Sequence, residues 1–243
     1  MAPPIRGPIG IVAALDREAV ALRRTATDAG AVLLEVPGPG LAAAEAGARR
    51  LVERGARSLI SWGTAGALGA ARAGDIVIAE AVLGPRERRI ATDRELTSDL
   101  RERLAGVAPL HAGLLVSVDA PVATVAEKVR LGRDTGALAV DMESAGVAAA
   151  AVETGLPFAV LRVVVDEAGR AVPPAAVAAL NGPRVDLLAL LGTLVKYPHR
   201  LGPQIYGLWA LGRAASKADR TLHECARRIV FPAGTSTGGA RLP

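Results

Sequence analysis

Acidic residues in this chain stand at the ends of apolar runs. Asp16 and Glu18 follow "IGIVAAL" (9–15), Asp141 and Glu143 sit in or just after "ALAVDM" (137–142), and Asp166 ends "FAVLRVVVD" (158–166). Carboxylates that converge in a cleft with apolar walls can have their proton affinities set apart. One can then serve as an acid, another as an acceptor or base. Each also has a local explanation, because acids are favoured in the first turn of a helix and at strand-end turns. Taken singly, these residues leave both readings open.

The segment "WGTAGALGA" (62–70) spaces Gly63, Gly66 and Gly69 three apart just after an apolar run. Glycine-rich backbone there can bring N–H groups close to an anion or a sugar. The next stretch, "AGDIVIAEAV", is another strand pattern, so the dinucleotide fingerprint, which opens a helix, is not met. A tight turn between two strands explains the glycines equally well. His111, His199 and His223 are scattered, and His223 and Cys225 lie two apart on a helical pattern, so they face different ways. No metal or cofactor is expected. Neither G-x-S-x-G nor a phosphate-binding G-x-x-x-x-G-K occurs.

The elements that must position these residues alternate. Further apolar runs lie at 31–36, 58–62, 75–83 and 114–119, with helical patterns at 16–29, 41–54, 123–135 and 143–153. Near-continuous Val, Ile and Leu predict strands covered on both faces, with parallel connections and sites at their carboxyl ends. The fold class expected is α/β: a twisted mixed sheet flanked by helices, with a C-terminal helical extension. After Val172-Pro173-Pro174 the pattern turns helical, at 184–197 and again at about 204–229. The longer stretch carries a stripe of Ile205, Leu208, Trp209, Ala215, Ala218, Leu222, Cys225 and Ile229. The pattern divides the chain into an α/β part that holds the candidate site residues (1–183), a basic amphipathic extension (184–230) and a flexible tail (231–243).

A chain of 243 residues with 51% hydrophobic and 22% charged residues can bury a large core and is not of disordered composition. Aromatic residues are only 2%, so small alanine side chains must allow helices to pack closely. The single cysteine, Cys225, excludes an intramolecular disulfide. "MAPPIRGP" has no apolar signal core, and "LLALLGTLV" (187–195) falls short of the about 20 residues a bilayer needs. A cytoplasmic location is expected. From Leu187 onward there are eight Lys/Arg against two acids, while the rest has 21 against 22, so the basic excess belongs to the C-terminal part. Nucleic acid is not expected as a partner. A peripheral contact with an anionic membrane is an expectation for this part.

Read together, "IGIVAALDREA", "SWGTAGALGAARAGDIVI", "AVDMESAGVA" and "LPFAVLRVVVDEA" resemble the purine nucleoside phosphorylase and methylthioadenosine/adenosylhomocysteine nucleosidase family, in its order and at about its spacing. "EKVRLGRDTGALAVDMESAGVA", "RVVVDEAGRAVPP" and "PHRLGPQIYGLWALGRAASKADRTL" are most similar to its hopanoid-associated branch. The resemblance implies cleavage of an adenine nucleoside, with adenosylhopane as substrate and inorganic phosphate as co-substrate, in a homodimer. It assigns Glu143 to the ribose 2′- and 3′-hydroxyls, with Met142 packing on the sugar. It assigns Asp166 to protonation of adenine N7, and Val122, in "SVDAPV", to the adenine edge. Pro121 stands where the family has a stacking aromatic residue, and Ser61-Trp62 replaces the phosphorylase arginine. Hydrolytic relatives lack that arginine too and activate water with a glutamate matching Glu18. Thr64 and Gly63 would then hold water or phosphate, Arg162 would bind an anion or orient Glu18, and Arg17 is a further anion-binding candidate. Phosphorolysis, hydrolysis of small thionucleosides and non-catalytic nucleoside binding are the three activities this allows.

Overall fold

In the computed structural model of the chain, residues 7–25, 32–174, 176 and 201–230 are described. Eight strands form one sheet: β1 (Ile9–Ala13), β2 (Val32–Glu35), β3 (Ser58–Ala67), β4 (Ile76–Leu83), β5 (Arg89–Ala91), β6 (Leu110–Ser117), β7 (Ala139–Asp141) and β8 (Phe158–Asp166). The order is β2-β1-β3-β7-β6-β4-β5, and β8 pairs with both β3 and β4. Strands β3, β7, β6, β4 and β8 therefore close a ring. The helices are α1 (Asp16–Thr25), α2 (Leu41–Glu53), α3 (Arg94–Leu104), α4 (Val125–Thr135), α5 (Ser144–Thr154) and α6 (Leu201–Val230).

Alternation along the strands feeds two cores. On β8, Phe158, Val160 and Val164 face one side, while Ala159, Leu161 and Val163 face the other. Helices α2 and α5 cover the first side through alanines such as Ala44, Ala48, Ala148 and Ala151. Small side chains let the two backbones approach closely. A Cβ on Gly146 would lie 2.1 Å from the carbonyl oxygen of Leu41. Helices α1, α3 and α6 cover the second side with Leu22, Leu100, Leu104, Leu222 and Ile229.

Several expectations change in the structure. Strand β3 does not end at Trp62 but runs through Gly63 and Gly66 to Ala67, so these two glycines lie in a strand, while Gly69 lies in the bend between β3 and β4. The connections are not all parallel: β3–β7, β4–β8 and β4–β5 are antiparallel. Within the ring β3 and β8 run one way, and β4, β6 and β7 run the other. Helix α3 and strand β5 stand where no element was assigned. Asp93 caps α3 by accepting from Leu96 N at 2.9 Å, and Leu96, Leu100 and Leu104 are its buried face.

The predicted helix 184–197, the boundary at 183/184 and the tail 231–243 lie outside the described residues. From Leu201 onward α6 packs against α1 and β8. The predicted stripe holds for Ala218, Leu222, Cys225 and Ile229, which are buried with Ala226. Trp209 departs from it: this side chain is 56% exposed, with the Arg213 guanidinium 4.8 Å from its ring centroid. Among the described residues, no helix is long and apolar enough to cross a membrane.

Candidate active site

The carboxyl ends of β1, β7 and β8 open on one cavity of about 360 Å³, lined by Glu18, Thr64, Val122, Met142, Glu143 and Asp166 among others. Pro121 and Arg17 also line it. Sequence-predicted residues from well-separated segments are thus brought together. Gly63 and Arg162 do not line the cavity and lie behind its wall.

Glu18 is 2% exposed and its carboxylate accepts three hydrogen bonds. Its Oε1 accepts from Thr64 N at 2.9 Å and Thr64 Oγ1 at 2.7 Å, while Oε2 accepts from Leu15 N at 3.2 Å. Trp62 Nε1 donates to the Glu18 carbonyl at 3.0 Å and fixes the first turn of α1. Gly63 makes this arrangement fit. Its φ is +150°, and a Cβ there would lie 2.7 Å from Glu18 Oε2 and 2.6 Å from Arg162 Nη1. The glycine's role is to admit these two side chains.

The pair Asp141 and Glu143 divides its labour. Asp141 takes the structural task at the start of α5. It accepts from Ser144 N at 3.2 Å, from Ser117 Oγ at 2.6 Å, from Ser144 Oγ, and from Arg162 Nη2 at 2.6 Å. Glu143, the residue preceding α5, makes no capping bond with its side chain. Instead Oε1 accepts from Gly40 N at 3.3 Å, at the start of α2, and Oε2 lies 3.5 Å from Arg162 Nη2. Burial pushes the Glu143 carboxyl up to about 7; Arg162 opposes this, while Asp141 and Glu18 reinforce it.

Arg162 is 1% exposed and bound to Asp141, with Ser61 Oγ accepting at 2.8 Å. Burial disfavours its charge, yet the Asp141, Glu143 and Glu18 carboxylates hold its proton more firmly than usual. It therefore orients Glu143 through an ion pair and is committed inside the wall, not open to an anion in the cavity. Ser61 is thus one of the acceptors that hold the guanidinium in place.

Asp166 closes β8 with a side chain 13% exposed. Its Oδ2 is 2.5 Å from Lys128 Nζ, a residue singled out by no motif. Burial raises the Asp166 carboxyl above its ordinary range, with Lys128 opposing. Sequence reasoning also missed that α6 lines the cavity, through Leu211, Gly212 and Ala215. Among the described residues no cluster of His, Cys, Asp and Glu could hold a metal ion.

Three separated carboxylates, Glu18, Glu143 and Asp166, thus share one cavity with an apolar wall. The profile of the family described as "Phosphorylase superfamily" matches residues 17–180. The chain belongs to the phosphorylase superfamily. Among characterised members, the 5′-methylthioadenosine/S-adenosylhomocysteine nucleosidase of Thermotoga maritima is 34% identical over 115 residues, 44% of this chain and 52% of that protein. The match thus spans about half the length of that relative. The corresponding nucleosidase of Neisseria meningitidis, solved with methylthio-immucillin-A, superposes with a TM-score of 0.66 at 20% identity, covering 90% of this chain and 98% of that one. Futalosine hydrolase of Helicobacter pylori gives 0.65 at 18%, covering 90% and 97%. At such identities these structures establish that this superfamily member shares their fold.

Proposed function

We propose that this chain cleaves the N-glycosidic bond of an adenine nucleoside bearing an apolar 5′ group, with adenosylhopane as substrate, transferring the ribosyl group to phosphate and releasing adenine in hopanoid biosynthesis. The observation that carries the reading is the convergence of Glu143, Asp166 and the Glu18–Thr64 pair on one cavity. Cleavage of a ribosyl C–N bond develops positive charge on the sugar and negative charge on the base. Glu143, ionised, accepts from the 2′- and 3′-hydroxyls, Met142 packs on the sugar, and the Val122 main chain reads the adenine edge. Asp166, protonated, supplies the proton to N7. Burial supports that role by keeping the proton on Asp166 to higher pH than in water.

The apolar 5′ group is supported by the apolar lining, to which Ala14 and Leu15 and, from α6, Leu211 and Ala215 contribute. The name of the Thermotoga relative supports adenine nucleosides as the substrate class. Phosphate as nucleophile follows from the resemblance to the hopanoid-associated branch, and Arg17 is the cation on the cavity wall that would receive it. Hydrolysis is the second reading, favoured by Glu18. Its buried carboxylate beside Thr64 is placed to take a proton from water.

Product analysis separates them. Adenosylhopane in detergent micelles and 5′-methylthioadenosine are each incubated with and without phosphate, following adenine and the sugar product. Phosphate-dependent formation of a ribosyl 1-phosphate is expected. Free ribosyl product in phosphate-free buffer establishes hydrolysis, and turnover of the thionucleoside alone removes the hopanoid assignment. Nucleoside binding with no adenine release under any condition leaves a binding protein.

A further inference from the structure

Lys128 has no exposed surface, although its neighbour Val129 is 56% exposed. Helix α4 is fixed at its start by a reciprocal Thr124–Glu127 capping box, and this places Lys128 on the inward side. An ammonium has three hydrogens, and a buried one is costly unless each finds an acceptor. Lys128 Nζ finds three: Asp166 Oδ2 at 2.5 Å, the Arg170 carbonyl at 2.6 Å and the Glu167 carbonyl at 3.1 Å. The two carbonyls pin the loop that follows β8. The third acceptor is the carboxylate that lines the cavity.

We propose that Lys128 is a positioning residue for the acid, holding Asp166 by Oδ2, leaving Oδ1 for the purine and stabilising the carboxylate charge that develops as the proton leaves. This rests on the adenine-nucleoside reading above. As the C1′–N9 bond breaks, its electron pair passes into the purine. The proton of Asp166 moves from Oδ1 to N7, so adenine departs neutral. The nucleophile's oxygen bonds to C1′ and gives up its proton to solvent, from which Asp166 regains one. The charge left on Asp166 appears beside a fixed ammonium in a site of low polarity, where a preorganised charge is worth most. The interaction strengthens on the way to the transition state, which is the condition for it to accelerate the reaction.

Other charged groups near Asp166 are accounted for. Glu167 and Arg170, on the same loop, are 3.5 Å apart, and Glu167 Oε1 accepts from Ala73 N at 3.2 Å. Strand β3 presents Gly66 to Asp166, and the Lys217 side chain of α6 lies over Gly74. Burial and Lys128 act on the Asp166 carboxyl in opposite directions, so removing the ammonium leaves burial unopposed.

Two variants, K128Q and K128R, test this with two measurements. The first follows the Asp166 carboxyl by carbon-13 NMR across pH, with the resonance assigned through D166N. In K128Q the titration midpoint is expected to move to higher pH, and in K128R to stay near the wild-type value. This readout does not depend on turnover, so a wild-type enzyme that cleaved no nucleoside would strike the functional reading alone. The second measures 5′-methylthioadenosine cleavage. K128Q should lower kcat by about 10²-fold with little change in KM and extend the alkaline limb of the pH profile, with partial rescue by K128R. In a D166N background, K128Q should cost nothing further. Should glutamine prevent folding, K128M supplies a neutral side chain of similar length for the same titration. An unmoved midpoint in a folded neutral variant, or an equal loss of kcat in the D166N background, overturns the proposal and leaves Lys128 a loop anchor.

Discussion

At the scale of single residues, the neighbouring acids Asp141 and Glu143 have opposite fates. Both were legible in the sequence as acids at a strand-to-helix junction, but their division of labour was not. It depends on Ser117, Ser144 and Arg162, which come from three different elements. Lys128 was invisible for a similar reason, because nothing local in α4 says which of its cations, Lys128, Arg130 or Arg133, faces Asp166. Glu143 carries a measurable cost. Its carboxyl ordinarily titrates near 4.5 and in the fold is pushed up to about 7 by burial, against the opposing charge of Arg162. Between those values the folded chain keeps a proton the unfolded chain has lost. The group's contribution to stability is therefore complete below about 4.5 and lost as pH rises through 7, on the order of 3 kcal/mol. E143Q removes that charge. It is expected to lose ribose recognition while gaining stability relative to wild type at pH 8, with the gain vanishing near pH 4.5. Urea unfolding at both values checks it, and an equal difference at the two pH values would show that Glu143 titrates in the fold as it does in the unfolded chain.

At the scale of elements, periodicity located most strands and helices, and the errors were those that non-local pairing produces. The β3 glycines read as a turn because glycine punctuates sequences. The strand continues because β7 and β8 pair along it and because Gly63 must admit Glu18 and Arg162. Alanine-rich α5 was read as a close-packing helix, and its contact with α2 has a direct functional consequence. The same contact that seats Gly146 against the Leu41 carbonyl also sets Gly40 N on Glu143 Oε1. G146A would place a methyl group where two backbones meet, and neither can yield as a side-chain tip would. Overpacking of this kind typically costs about 1–3 kcal/mol, or about 2–4 °C in Tm per kcal/mol for a chain of this size. G69A is the control, since a Cβ there meets nothing within 4 Å. Thermal unfolding should show a loss in G146A alone, together with weaker nucleoside binding as the Gly40–Glu143 contact opens. Matching Tm values for both variants would mean that α2 and α5 separate without cost.

At the scale of the whole molecule, fold class and family were legible because the motif order spans most of the chain, whereas closure of the β3-β7-β6-β4-β8 ring was not. The C-terminal charge asymmetry was legible too, but the structure changes what it can do. The stripe from Ala218 to Ile229 is spent on the enzyme's own core, and α6 lends Leu211, Gly212 and Ala215 to the cavity. Those apolar side chains have no surplus to insert into a bilayer. Removing α6 would unroof the core and the site together, so deletion is the wrong test of membrane contact. Helix α6 exposes Trp209, with Arg213 over its ring, and the basic residues Lys217, Arg220, Arg227 and Arg228. Glu224 already engages Arg227 at 3.7 Å and Arg228 at 3.3 Å, which weakens that end of the basic face. The Trp209–Arg213 end is therefore the part of α6 suited to an anionic interface, at about 1 kcal/mol per basic residue near the surface. Cosedimentation with vesicles containing anionic lipid is expected to be salt-sensitive and to fall at least about fivefold in W209A/R213A, while cleavage of 5′-methylthioadenosine is retained. Equal binding to neutral and anionic vesicles, or an unchanged double variant, would leave α6 as a structural element that contributes a wall to the cavity and no contact with lipid.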